Sequence, residues 1–305
     1  MKIFNQIPRI PFLNFYKYAF CISTIFITIG IIFIFIKGIE TSIDFTGGTI
    51  VNVKVNQDDI DIAQLRVKAA NDLESNINIV LAKSADSNKS LIITMDFLND
   101  EKILNQFLAD VFGAEYEIIQ VESIGPKLGD ELRVDARNAI LASLLLIGLY
   151  ITIRFDRFYA LGSLVALLHD VIVILSIFSI FQFEISVAII AAFLTIVGYS
   201  LNDTIVIYDR IRENILKYID KDKYDIINQS LNETLSRTII TSFTTLLVVL
   251  SLYFFGGDIL KPFALALLIG IIIGTYSSIF IASPIMFLFE KKFNIISDQE
   301  SNYVN

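Results

Sequence analysis

Six stretches of the chain are apolar and poor in charge over 17 residues or more: 18–36, 137–153, 158–180, 185–208, 238–255 and 262–289. A helix needs about 20 apolar residues to cross a hydrocarbon layer about 30 Å thick. Within that layer only helices and closed barrels satisfy their own backbone polar groups. The runs predict an α-helical polytopic membrane protein with six transmembrane helices. Hydrophobic residues make up 54% of the 305, too many for an ordinary soluble domain. The last run is longer than a crossing requires and is expected to end in an interfacial turn near Pro284.

Lys and Arg set the expected orientation. Lys2, Arg9 and Lys17 precede the first run, and Arg154 and Arg157 join the second to the third. Arg210, Arg212, Lys217, Lys221, Lys223 and Arg237 lie between the fourth and fifth, and Lys291 and Lys292 follow the sixth. The short opposite loops offer only Lys261. The excess of positive charge inside predicts a cytoplasmic N-terminus (1–17), a cytoplasmic tail (290–305) and an extracytoplasmic segment 37–136. The first run ends in Lys-Gly-Ile-Glu without a small-residue cleavage site, so it reads as an uncleaved anchor. Cys21 is the only cysteine, and no disulfide framework is possible within the chain.

Residues 38–135 are a different material. They carry 8 Lys or Arg against 18 Asp or Glu, a net of −10, while the rest of the chain sums to +2. Strand-like alternation marks 48–55, and helical spacing marks 58–75. Residues 78–83 and 90–97 read as strands joined by a polar turn, 99–113 as a helix closed by Gly113, and 116–123 as a last strand. The order β-α-β-β-α-β is the ferredoxin-like arrangement, an α+β domain of about 100 residues. Residues 209–236 carry two apolar stripes, Ile211-Ile215-Tyr218-Ile219 and Ile227-Leu231-Leu235. They are expected to form two short amphipathic helices on the cytoplasmic membrane surface.

Polar residues inside the runs are the candidate functional groups. Asp203 follows Asn202 in the fourth run, about 10 Å from Arg210 at ~1.5 Å per residue. A charge near a helix centre costs about 2.5–3.5 kcal/mol on insertion. Asp203 is therefore either a proton relay or ion site, or a carboxyl hydrogen-bonded to a neighbouring helix. Arg237 opens the fifth run and shares a face with Thr241, Thr244 and Val248. It either snorkels to the headgroups or faces inward as a counter-charge. His169 and Asp170 form a secondary polar site in the third run. As adjacent residues they are expected to point in different directions, which favours separate structural hydrogen bonds over proton traffic. Asp170 shares a face with Gly162 and Ala166, which suits a close-packed neighbour. Ala266, Gly270, Gly274, Ser278 and Ala282 form a small-residue stripe for helix packing, its partner unspecified. There is no phosphate-binding loop, metal-ligand cluster or nucleophile–base arrangement, so neither enzyme activity nor a cofactor or metal is expected.

Five stretches in order carry a family resemblance: IDFTGGT (43–49), VESIGPKLGDEL (121–132), ALLHDVI (166–172), VGYSLNDTIVIYDRIREN (197–214) and TLSRTIITSFTTLL (234–247). Through them the chain resembles the SecF family, the smaller-subunit branch of the bacterial SecDF accessory proteins of protein export, within the resistance-nodulation-division superfamily. The resemblance covers the first run to the last. It implies that Asp203 carries a proton with Arg237 as its membrane partner, Asn202 and Thr241 beside them. It also implies that Asp44, Phe45, Gly47 and Gly48 form a signature at the joint between anchor and outer domain, where the residues alone suggest a glycine turn feeding a strand. The implied setting is the bacterial inner membrane, with SecD supplying the other six spans and SecYEG as the channel served. YajC, YidC and, indirectly, SecA are further expected partners, the substrate is an unfolded preprotein, and no nucleic acid is involved. The rival readings are a homodimeric exporter of lipids or small molecules and a passive assembly factor of the translocon.

Overall fold

In a computed structural model the chain is described at residues 7–55, 65, 78–83, 89–98, 101–113 and 116–291. The expected helix 58–75, except for Leu65, and the tail beyond 291 lie outside the described residues, as does the helix start at Asn99. Among the described residues six helices are long and apolar enough to cross a membrane. They are α1 (Tyr16–Lys37), α4 (Pro126–Arg154), α5 (Arg157–Phe181), α6 (Val187–Lys217), α7 (Lys223–Phe255) and α8 (Gly257–Ser277). A short turn, α2 (Ile43–Thr46), follows α1, and α3 (Glu101–Phe112) belongs to the inserted segment.

The apolar runs do not all play the same part. About half of the spanning windows of α5, α6 and α8 is buried within the protein (50%, 50% and 56%), against 17%, 6% and 17% for α1, α4 and α7. A helix apolar on every side must be covered by protein or by lipid, so α5, α6 and α8 are the bundle centre and the others its wall. The small-residue stripe of α8 finds its partner in α6. A Cβ added at Gly270 would stand 2.3 Å from Ile196 Cδ1, and one at Gly274 would stand 2.9 Å from Ser200 Cβ. Further along, Gly162 of α5 admits the Tyr208 hydroxyl and the Ala282 carbonyl, which an added Cβ would meet at 2.5 and 2.6 Å.

Two expectations are corrected. No interfacial turn forms at Pro284: α8 passes into a π-helical turn (Ser278–Ala282) and on as helix to Lys291. The wider turn meets the proline's missing N–H without ending the helix, and Ser283 Oγ donates five residues back to the Ser278 carbonyl at 3.1 Å. Nor do separate surface helices form in 209–236. The α6 and α7 helices, of 31 and 33 residues, run on into it and meet at residues 218–222. At ~1.5 Å per residue both are far longer than a hydrocarbon layer, so their ends project beyond it. The apolar stripes pack on each other and on the N-terminal Phe12 and Leu13, through Ile211, Ile227, Leu231 and Leu235. A stripe that covers another helix reads in sequence like one that covers lipid.

Among its described residues the inserted segment contributes four strands, β1 (Gly48–Val55), β2 (Asn78–Lys83), β3 (Lys89–Met95) and β4 (Tyr116–Ile124). They form one antiparallel sheet in the order β2-β3-β1-β4. Alternation puts Val51, Val53 and Val55 on one face with Leu91, Ile93 and Met95. Leu104, Phe107, Leu108 and Phe112, one face of α3, cover them.

Candidate functional site

Two polar centres lie inside the bundle among the described residues, one on α6 and one on α5. The first is Asp203, 3% exposed, whose Oδ2 is buried without a hydrogen-bond partner. The groups acting on it come from α7, the Arg237 guanidinium first and the Ser242 hydroxyl second. Ser242 Oγ also lies 2.7 Å from Thr275 Oγ1, tying α7 to α8. One turn before Ser242, Thr238 is buried and its hydroxyl too lacks a partner. An unsatisfied buried polar group costs about 1–3 kcal/mol, more when charged. Leaving two on facing helices is a cost that packing alone does not require.

The expected companions of Asp203 divide. Arg237 is on the helix that faces it, but is exposed and makes no ion pair with it. The Thr241 hydroxyl is spent on its own helix, on the Arg237 and Thr238 carbonyls at 3.0 Å each. Asn202 is exposed on the outside of the bundle. Ser242, which acts on Asp203, is on the neighbouring face of α7, where Thr238, Ser242 and Val249 are buried at helical spacing. That i, i+4, i+11 pattern is visible in the sequence. It is overshadowed by the richer Arg237-Thr241-Thr244 face.

The second centre joins four helices. His169 Nδ1 lies 3.0 Å from Asp170 Oδ1, so the two neighbours converge rather than diverge. Asp170 is fully buried, and its Oδ2 accepts hydrogen bonds from Ser200 of α6 at 2.6 Å and Ser277 of α8 at 2.8 Å. On the other side His169 Nε2 lies 2.9 Å from Ser23 Oγ of α1, which is 3.1 Å from the Tyr276 hydroxyl of α8. Tyr276 in turn donates to the Ala19 carbonyl at 2.9 Å. Single serines in three different apolar runs gave no sign that they share a site.

The joint outside α1 is also built. Ser42 caps α2, accepting from the Asp44 amide at 3.3 Å, and Asp44 Oδ2 accepts from the Val187 amide of α6 at 2.7 Å. Phe45 is buried with Ile174, Phe178, Ile185 and Ile189, and its carbonyl accepts from Arg133 of α4 at 2.8 Å. Gly47 has φ 74° and ψ 157°, a region essentially restricted to glycine, and packs on Pro126 at the start of α4. Gly48, with φ 148°, opens β1. Glu184, in the loop before α6, has its carboxyl pushed above the ordinary value by desolvation and, secondarily, by Glu40. At the other end Glu233 of α7 accepts from Arg210 at 2.5 Å and Asn214 at 2.8 Å, locking the projecting ends of α6 and α7. Among the described residues no group of three acidic, histidine or cysteine side chains could hold a metal ion.

Six spanning helices, a small α/β domain inserted after the first, and ionisable groups within the bundle define a polytopic membrane protein of the transporter kind. The model of the protein export membrane protein SecD/SecF C-terminal family matches residues 103–292, and that of the SecD/SecF GG motif matches residues 32–59. The chain is 40% identical over 290 residues to a protein translocase subunit SecF of Desulfurispirillum indicum, covering 91% of this chain and 90% of that one. It is 38% identical over 283 residues to that of Haemophilus influenzae, covering 92% and 86%. Its fold matches the crystal structure of SecDF, a translocon-associated membrane protein from Thermus thermophilus, with a TM-score of 0.83 at 36% identity over 93% of this chain. A second SecDF structure, in a super-membrane-facing form, matches with a TM-score of 0.73 at 35% identity over 98%. The chain spans 39% and 41% of the length of those two SecDF chains. It belongs to the SecF family.

Proposed function

We propose that this protein is the accessory subunit of a Sec preprotein translocase that uses the proton-motive force to complete export, and that Asp203 carries the proton. The observation that carries the reading is a carboxyl buried at membrane depth, with one oxygen unpartnered and hydroxyls and a guanidinium on the facing helix. An ionised carboxylate there is costly and a neutral acid is not, so its charge state and the α6–α7 contact depend on each other. Deprotonated Asp203 would draw Arg237 inward, and protonated Asp203 would release it. The separated pair in the structure suits the released arm. This is a two-state electrostatic switch of the kind that can tilt helices.

The subunit works beside SecD in the bacterial inner membrane, with both termini cytoplasmic and segment 37–136 outside. Asn202, Arg237 and Thr244 are exposed on α6 and α7. Polar groups at membrane depth normally face protein or water rather than lipid, which supports a partner against this wall. The acidic outer domain is read as ferredoxin-like, since the order β2-β3-β1-β4 suits a β-α-β-β-α-β chain, and is the moving part that handles the emerging, unfolded preprotein. SecYEG is the channel served, with YajC and YidC as further neighbours and SecA acting before this subunit. The protein is not an enzyme and needs no cofactor.

Inverted membrane vesicles holding a preprotein arrested part-way through the channel test the reading. Under an imposed proton gradient, the wild type completes transport, while Asp203→Asn stays bound to SecD but loses gradient-driven completion. Normal completion by the variant overturns the reading and leaves Asp203 a structural group. A passive assembly factor predicts that outcome, and a small-molecule exporter predicts no effect on preproteins at all.

A further inference from the structure

The hydrogen bonds around His169 can be counted, and satisfying all of those on the Ser23 side at once places a proton on Nε2. Tyr276 has a single hydroxyl proton, and the Ala19 carbonyl, which can only accept, takes it. The bond between Tyr276 and Ser23 is then donated by Ser23. Ser23 has no second proton, so the 2.9 Å contact with His169 Nε2 is donated by the imidazole. Nε2 therefore carries a proton. On the other side of the ring, the 3.0 Å contact between Nδ1 and Asp170 Oδ1 needs a proton of its own, on either atom. Asp170 Oδ2 accepts from Ser200 at 2.6 Å, and Ser277 Oγ lies 2.8 Å from it and 3.2 Å from the Gly274 carbonyl, so the single Ser277 proton serves one or the other.

We infer that His169 and Asp170 form a second proton-binding site of the membrane domain, holding one labile proton in a network that links α1, α5, α6 and α8. The loaded pair is an imidazolium beside a carboxylate or an imidazole beside a carboxylic acid, and either has no net charge. That is the affordable state where bare charge is expensive. Loss of the proton leaves a neutral imidazole whose remaining N–H stays on Asp170 through Nδ1. Nε2 becomes an acceptor, and the Ser23 hydroxyl must turn away from Tyr276 to meet it. The released proton passes to water, and the contact that changes is the one between α1 and α8. Since α1 leads directly into the outer segment, the charge of the pair is read at the anchor.

Among the described residues no competing charge faces the pair. Facing the pair, α1 brings Ser23, α6 brings Ser200, and α8 brings Ser277 and the Tyr276 ring, 6.1 Å from the imidazole. Asp203 is one turn from Ser200 on α6, and the groups acting on it are on α7. The π-helical turn brings Ser278, whose hydroxyl is spent on the Thr275 carbonyl. The α4 helix has no charged residue between Arg137 and Arg154. The site is separate from Asp203 and stands whether or not Asp203 couples transport.

His169 is the only histidine in the chain. Histidine labelled with ¹⁵N in the full-length protein, purified without a histidine tag and placed in lipid bilayers, therefore reports this one imidazole. The inference predicts that Nε2 is protonated in the loaded state and that both ring signals change together in one step as pH is raised, a titration of the pair. In Asp170→Asn, which leaves Nδ1 without its carboxylate partner, the coupled step of the two ring signals should be lost. An imidazole fixed in one protonation state across the range overturns the inference, as does an unchanged step in a folded Asp170→Asn protein. Should that variant not fold, the wild-type titration decides alone.

Discussion

Asp44 Oδ2 accepts a hydrogen bond from the Val187 amide at 2.7 Å, so the first turn outside the anchor caps the helix that carries Asp203. The outer joint is thus tied to the first residue of α6, and the membrane carboxyl sits midway along the same helix.

This cap is testable by itself. A carboxylate on the free amides at a helix start satisfies a donor and complements the helix dipole. Asp44→Ala is expected to lower stability by about 0.5–2 kcal/mol, while Asp44→Asn, which still accepts, loses less. Denaturant unfolding of the purified protein measures both. Equal losses would show that the charge, not the hydrogen bond, dominates.

Gly47 makes the turn from α2 into β1 in a backbone region that other residues avoid, and an added Cβ would stand 2.9 Å from Pro126 Cα. Gly47→Ala should therefore cost about 1–3 kcal/mol in strain before the clash is counted. The expected readout is earlier proteolysis at the joint, with the α-helical signal of the bundle retained.

The α6–α8 contact predicts a rescue. Gly270→Ala drives a methyl into Ile196 and is expected to destabilise by about 1–3 kcal/mol. Ile196→Val trims that side chain, and the double variant should recover part of the loss, with a coupling of about 0.5–3 kcal/mol. Additive effects in the double-mutant cycle would mean that the stripe is not tuned to Ile196.

The parts of this architecture that depend on hydrophobic runs and residue spacing were legible in the sequence. The six helices, the strand segments and the small-residue stripe all follow from local pattern. What pattern does not carry is direction around a helix and identity of the neighbour. His169 and Asp170 converge because both side chains lean into one polar gap closed by Ser23, Ser200 and Ser277, each from a different run. The partner of the Gly270 stripe, the face of α7 that meets Asp203, and the projection of α6 and α7 beyond the membrane are tertiary facts of the same kind.

The joint should respond to pH through Glu184. Desolvation, with Glu40 adding its charge, raises the folded value of this carboxyl above its ordinary 4.5. An acid whose folded value is raised binds its proton more tightly when folded. Its ionised form therefore works against the folded joint at neutral pH, and that cost is relieved as pH falls through the raised value. Glu184→Gln should be more stable than the wild type at neutral pH. The difference should vanish well below 4.5, which unfolding midpoints at the two ends of the range would reveal.

The central claim is that Asp203 loads and unloads a proton inside the membrane. Infrared difference spectroscopy on the protein with its SecD partner in lipid bilayers tests it most directly, through the carbonyl stretch of a protonated carboxylic acid. The account predicts such a band that disappears as pH is raised, is missing in Asp203→Asn and persists in Asp170→Asn. A spectrum with no titrating carboxyl lost in Asp203→Asn would contradict it.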